Sequence, residues 1–101
     1  MENSIDFKEP WYKTDQDLKD QLKREVSKKH ILYKKDVKTI ARRQDNDDVL
    51  FQITNLTNTY ALVHLTWSQK VQKDPHYPTT IIYNTIKELK DKIELDIQDW
   101  E

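Results

Sequence analysis

The chain has 101 residues and a formal net charge of −1, and it contains neither cysteine nor glycine. Without cysteine, disulfides, thiolate nucleophiles and cysteine-ligated zinc are excluded. Without glycine, phosphate-binding loops and dinucleotide fingerprints are excluded as well, since both need glycine for tight turns and close backbone approach.

A length near one hundred residues predicts a single domain over 1–101. We expect an N-terminal arm at 1–13, where a proline in FKEPWYK disfavours helix. Trp11 in this arm is a candidate binding residue, because Trp combines apolar area with a hydrogen-bond donor. An acidic tail is expected at 95–101.

The first helix is predicted after the arm. Leu18, Leu22 and Val26 recur every four residues and form one narrow apolar stripe. Thr14 or Asp15 is suited to cap this helix, since both side chains can accept from free backbone N–H groups. Its other faces are charged, which is typical of a helix lying across a sheet.

Strands are predicted at 37–43, 49–56, 60–67 and 79–83, from runs of β-branched and aromatic residues between polar turns. Short turns join the first three, which favours an antiparallel meander of three to four strands.

A second helix is predicted at 86–94. Thr85 and Glu88 match the capping box that opens a helix, and apolar residues follow at helical spacing. The element order α-β-β-β-β-α predicts an α+β fold, with both helices expected on one face of the sheet.

Alternation divides the third strand into two faces. One face is apolar and is assigned to the core: Ala61, Val63, Leu65 and Trp67. The opposite face carries Tyr60 and His64 and is expected to be open or covered by a loop. There, His64 is either a ligand contact or a histidine paired with a neighbouring side chain.

The sequence RRQDNDD places two arginines beside three aspartates. We interpret it as a hairpin turn flanked by ion pairs, in which Arg42, Arg43, Asp47 and Asp48 are candidate binding residues. The same turn admits a hydrolase or nuclease reading in which its aspartates and a histidine converge, and this is the less favoured alternative.

No metal site or cofactor is expected. The three histidines, His30, His64 and His76, lack the spacing of a metal set, and the turn lacks the glycine and glutamate of a calcium loop.

Charge is distributed unevenly. Residues 1–43 hold 12 basic and 8 acidic groups, whereas residues 44–101 hold 5 and 10. Such polarity favours steered encounter with a charged partner. Nine basic groups within 23–43 also make nucleic-acid binding through this segment an alternative.

The sequence IARRQDNDDVLFQI, followed by ALVHLTWS and a Pro-x-x-Pro loop, resembles a small family of uncharacterised bacterial proteins over about residues 30–90. The resemblance implies no activity and assigns no functional residue.

The N-terminus has no signal-peptide pattern, and no apolar run is long enough to span a bilayer. We therefore expect a cytoplasmic, non-enzymatic domain that binds a protein partner, of the kind represented by immunity proteins or antitoxins, and no membrane partner.

Overall fold

The structure is a computed structural model that describes residues 5–100. It is an α+β fold built on one antiparallel sheet with the strand order β1-β2-β3-β4-β5. The strands are β1 (Trp11–Lys13), β2 (Val37–Arg43), β3 (Asp48–Ile53), β4 (Tyr60–His64) and β5 (Thr79–Tyr83). The helices are α1 (Lys19–Glu25) and α2 (Ile86–Trp100). The predicted fold class and antiparallel meander are confirmed.

One face of the sheet packs against α1. Its core is continuous from the helix to the centre of the sheet and includes Leu22, Val49, Phe51 and Val63, each almost fully buried. Alternation places these strand residues on a single face, because successive side chains point to opposite sides. The predicted inward direction of Ala61, Val63 and Leu65 is confirmed.

The other face packs against α2. A second core cluster there joins Leu50, Tyr60 and Leu62 to Leu89 and Ile93 of the helix. The expectation that both helices cover one face was therefore wrong. The sheet lies between the two helices because the centre of each of its faces is apolar, and each apolar face is buried by packing against a helix.

The structure contains one strand that was not predicted and one helix that is longer than predicted. The arm contains the additional strand β1, in which Trp11 lies opposite Arg43 of β2. Helix α2 continues to Trp100, so most of the expected acidic tail is helical. Its start agrees with the prediction, since the Thr85 hydroxyl accepts from the backbone N–H of Glu88 at 3.1 Å.

Three other elements are shorter than predicted, and one of them is β3, which ends at Ile53 and not at residue 56. Helix α1 begins at Lys19, and Leu18 occupies the capping position without a side-chain cap. The Leu18 N–H donates instead to the Thr39 hydroxyl of β2 at 3.0 Å, so a tertiary contact replaces the local cap. Strand β4 ends at His64, which removes Trp67 from the regular alternation.

Candidate functional site

The two arginines at the end of β2 point to opposite faces of the sheet. Arg42 lies on the α1 face, where its guanidinium reaches Trp67 and Gln16. Arg43 lies on the α2 face, where it meets Asp45 and Asp96. Alternation alone separates them, and it gives neighbouring residues of one type two different environments.

Arg42 is the centre of an exposed aromatic group. Its guanidinium carbon lies 5.3 Å from the centre of the Trp67 ring, within cation–π range. Tyr12 of β1 lies directly opposite Arg42 in the sheet register and is 41% exposed. Cross-strand partners share a face, so Tyr12, Arg42 and Trp67 form one row across the α1 side.

Polar side chains flank this row. The Gln16 side-chain oxygen accepts from Arg42 Nη1 at 2.9 Å, and Asp47 accepts from the Trp67 indole Nε1 at 3.0 Å. Arg42 Nε is buried and has no acceptor within residues 5–100. We call Tyr12, Gln16, Arg42, Asp47 and Trp67 together the Trp67 surface.

Trp67 is exposed because its backbone leaves the strand. Its φ of 60° lies in the left-handed region, which is unusual for a bulky residue and costs roughly 1–2 kcal/mol. The turn swings the indole away from the core, and the side chain remains 37% exposed. Its assignment to the core was therefore wrong.

A buried carboxylate holds this turn in place. Glu25, at the end of α1, is fully buried. It accepts from the Trp67 N–H at 2.8 Å, and from both the N–H and the hydroxyl of Thr66 at 2.9 Å. Gln21 donates a further bond to it at 2.7 Å. The carboxylate oxygens therefore accept four hydrogen bonds, which satisfies this buried group. The bonds from Thr66 and Trp67 fix the backbone below the indole.

Arg43 belongs instead to a partly buried network that is centred on the buried Asp96. It makes two bonds to Asp45, at 2.8 and 2.7 Å, and an ion pair with Asp96 at 3.2 Å. Asp96 also accepts from the Trp11 indole at 2.9 Å and from Lys92 at 2.8 Å. This network ties β1, β2 and α2 together.

The charges of this network shift the ionisation of its members. The hydrogen bond to Asp45 raises the pKa of Arg43; burial opposes this rise, and the nearby Asp96 adds to it. The same hydrogen bond lowers the pKa of Asp45. Both groups are thus held charged, as expected of a bidentate pair.

His64 is paired and exposed. Its Nδ1 lies 2.8 Å from Asp48, its opposite residue in the register of β3 and β4. The side chain is 52% exposed. A carboxylate orients an imidazole in this way in catalytic sites, but within residues 5–100 Asp48 is its one hydrogen-bond partner. Thr79 of β5 lies opposite His64, but no hydrogen bond joins its hydroxyl to the imidazole among residues 5–100.

Two candidate binding residues lie in the core. Trp11 is 1% exposed, with its ring on the α2 face and its indole N–H bound to Asp96. Tyr60 is also buried there. Neither side chain is placed to contact a partner, because α2 covers the face that was expected to be open.

The aspartates of the turn do not converge. Asp45 is bound to Arg43, Asp47 to Trp67 and Asp48 to His64. Within residues 5–100, no three His, Asp or Glu side chains come close enough to share a metal ion. His30 and His76 have separate partners, at Pro78 and Asp74.

Scans against protein-family models, curated proteins and solved structures each found no match to this chain. Within the described part of the chain, no helix is both long and apolar enough to cross a membrane.

Sequence reasoning found two members of the Trp67 surface, Arg42 and Asp47, and missed the aromatic ones. One readable signal was Glu25, which falls three residues after Leu22 on the apolar side of α1. A carboxylate on the buried side of a helix needs a bonding partner, and here that partner is the turn that carries Trp67.

Proposed function

We propose that this chain is a non-enzymatic protein-interaction domain that binds its partner through the Trp67 surface. The observation that carries the proposal is the exposed Trp67 ring, stacked against Arg42 and supported by the buried Glu25 carboxylate. A strained turn held by three hydrogen bonds to one carboxylate is a costly way to place an indole in water.

The composition of this surface suits protein recognition. Trp, Tyr and Arg are the residues most enriched among those that dominate binding energies at interfaces. A ring held at a fixed angle also loses little conformational entropy on binding, so more of the contact energy remains as affinity. The partly exposed rings of Tyr12 and Trp67 offer this kind of contact.

Acidic groups around the surface favour a partner that carries Lys or Arg. Asp47 borders the Trp67 ring, while Asp15 and Asp17 flank Gln16 along the chain and are exposed. Charges at the rim of an interface act mainly on the rate of encounter and on partner choice. The association rate constant should therefore fall as salt is added.

An immunity or antitoxin role in the bacterial cytoplasm is the specific form that we propose for this activity. A small domain with an acidic rim and a rigid aromatic centre is suited to cover a basic site on a toxin. We also propose that the chain belongs to the bacterial family that residues 30–90 resemble.

Site-specific photo-crosslinking tests the binding surface. A photoreactive phenylalanine analogue replaces Tyr12 in one variant and Tyr77 in a second, since both tyrosines are similarly exposed. We expect the Tyr12 variant to crosslink one defined protein in cells of the source organism. The Tyr77 variant should not crosslink that protein, because its site lies in the loop before β5.

Trp67→Gly is then added to the Tyr12 variant, and Trp100→Ala, at another exposed tryptophan, is the matched control. Loss of the crosslink with Trp67→Gly but not with Trp100→Ala would assign the contact to the Trp67 surface. Equal crosslinking from Tyr12 and Tyr77, or none from Tyr12, would contradict the proposal.

Nucleic-acid binding is the second candidate, and one observation favours it. Lys23, Lys34 and Lys35 line a hollow of about 280 Å³ whose floor includes Leu22 and Val26. Three cations around one depression form a compact basic site, which is the electrostatic signature of phosphate binding.

Salt dependence tests this second candidate. Retardation of single- or double-stranded DNA and RNA is measured at low salt, and again after Lys34→Glu with Lys35→Glu. If the basic site binds phosphate, retardation weakens steeply with salt and is lost in the double variant. No retardation of any of these nucleic acids at low salt would eliminate this candidate.

A further inference from the structure

We propose that two copies of this chain pair through the free edge of β5, which joins their sheets in antiparallel register. Strand β5 is the last strand of the sheet, so one of its sides has no neighbouring strand within residues 5–100. This inference is independent of the Trp67 surface, none of whose residues lies in β5.

The register identifies the backbone groups on the free side. The Ile53 N–H donates to the Thr59 carbonyl and the Leu65 N–H to that of Asp47, so odd-numbered residues of β4 bond to β3. Even-numbered residues of β4 therefore bond to β5, through the pairs Tyr60–Tyr83, Leu62–Ile81 and His64–Thr79.

Thr80 and Ile82 consequently direct their N–H and C=O groups away from the sheet. None of these four groups has a hydrogen-bond partner among the described residues. At the start of the strand, the outward carbonyl of Pro78 meets the His30 ring at 2.9 Å, which ends the free edge there. The free edge is thus short, bounded and rich in unpaired donors and acceptors.

A second copy matches this pattern without adjustment. A two-fold axis at Ile81 places Thr80 opposite Ile82 of the partner and Ile82 opposite Thr80 of the partner. Each pair exchanges two N–H···O bonds, so four hydrogen bonds form across the axis. Ile81 then lies against its own copy, and its side chain, half exposed in the single chain, is covered.

Charge does not oppose this pairing. Residues 77–86 contain no Lys, Arg, Asp or Glu, so like charges are not brought together at the axis. Natural edge strands usually carry a charge or a proline that prevents such pairing. Both edge strands follow a proline, Pro10 or Pro78, but only β1 carries a charge: it has three residues and ends at Lys13, whereas β5 has no charged residue.

The expected dimer is weak, because pairing over five residues covers less area than a standard interface. Sedimentation equilibrium up to about 1 mM chain, where a dissociation constant of that order is still detected, should show the mass rise from 12.3 kDa toward twice that value. Ile81→Lys places two ammonium groups at the axis and should keep the chain monomeric. Leu95→Lys, at a comparably exposed apolar residue on α2, should dimerise like the wild type.

Cysteine crosslinking tests the register. The chain has no cysteine, so one introduced thiol is unique. At the axis, Cα atoms of a non-hydrogen-bonded pair lie about 4.5 Å apart, which suits a disulfide. Under air oxidation Ile81→Cys should form a covalent dimer several-fold faster than Leu95→Cys, an exposed control on α2.

Amide exchange adds a readout on the folded wild-type chain. The Thr80 and Ile82 amides should exchange several-fold more slowly as concentration rises, while the Lys13 amide at the other edge stays unchanged. A chain that remains monomeric at about 1 mM, with equal crosslinking of Ile81→Cys and Leu95→Cys, would overturn the proposal.

Discussion

Arg42 and Arg43 are neighbours in the chain, yet the molecule uses them in opposite ways. Arg43 is largely buried and binds Asp45 and Asp96, which joins β1, β2 and α2. Arg42 stacks on an exposed indole and donates a hydrogen bond to the Gln16 side chain. Arg43 joins three elements of the fold, whereas Arg42 lies beside the exposed Trp67 ring.

The two tryptophans near these arginines differ in the same way. Trp11, in an arm whose sequence has no regular pattern, lies in the core of the α2 face. Trp67, after a regular apolar strand, lies on the surface of the α1 face. Local regularity is therefore a poor guide to burial here. Tertiary contacts decide it: α2 covers Trp11, and Glu25 turns the backbone of Trp67 outward.

The largest difference between the two faces should appear when each tryptophan is removed. Trp11→Ala opens a cavity in the core and should lower the free energy of unfolding by about 3–5 kcal/mol. Trp67→Ala loses one hydrogen bond and one cation–π contact, and should cost about 1 kcal/mol. Urea denaturation followed by circular dichroism measures both. Equal losses would contradict the assignment of the two rings.

Removal of the Glu25 carboxylate should have the next largest effect. Glu25→Ala leaves the partly buried N–H groups of Thr66 and Trp67 without their acceptor and creates a cavity at a fully buried side chain, and should cost about 3 kcal/mol. Asp20→Ala, at an exposed position on the same helix, should change stability by less than about 0.5 kcal/mol. If Glu25→Ala changed the free energy of unfolding as little as Asp20→Ala, the turn at Trp67 would not depend on the Glu25 carboxylate.

The arginines provide the third test. Arg43→Ala should cost about 2 kcal/mol, because Asp96 loses a partner in a buried site and keeps Lys92 and Trp11. Arg42→Ala should cost less than about 1 kcal/mol, since its contacts are partly exposed. The same urea series measures both variants. The comparison fails if Arg42→Ala is the more destabilising of the two.

The smallest effect concerns pH. The hydrogen bond from Arg43 lowers the pKa of Asp45 below its ordinary value near 3.8. A carboxyl with a lowered folded pKa contributes stability above its unfolded pKa and loses it as the pH falls through the folded value. Above about pH 4 the wild type should therefore have a higher free energy of unfolding than Asp45→Asn. The difference should be well under about 1 kcal/mol, because the pair is partly solvated. The two should converge in stronger acid, and a constant difference down to about pH 2 would contradict the pairing.

Sequence patterns predicted the central sheet well because its strands follow simple alternation. The register of β3 and β4 places Val49, Phe51 and Val63 on the face that their spacing indicates. The same patterns did not predict β1, because a three-residue strand beside a proline has no periodicity to read. They also placed both helices on one face, since Tyr60 and His64 made the second face look polar, while Leu50 and Leu62 make its centre apolar.

Only part of the candidate site was accessible from the sequence. Arg42 and Asp47 are recognisable as charged residues at a turn, and both belong to the Trp67 surface. The exposure of Trp67 depends on a positive φ and on a hydrogen bond to a residue 42 positions earlier in the chain. No local pattern encodes a contact of that sequence separation.

Affinity for the crosslinked partner tests the central claim most directly. Trp67→Gly removes the ring while its backbone adopts the positive φ without strain, so the fold is retained. Isothermal titration calorimetry of that partner with the wild type, Trp67→Gly and Trp100→Ala separates the Trp67 surface from the rest of the molecule. We predict at least about tenfold weaker binding for Trp67→Gly, as for an interface residue that dominates the energy, and unchanged binding for Trp100→Ala. Wild-type affinity in folded Trp67→Gly would contradict the account.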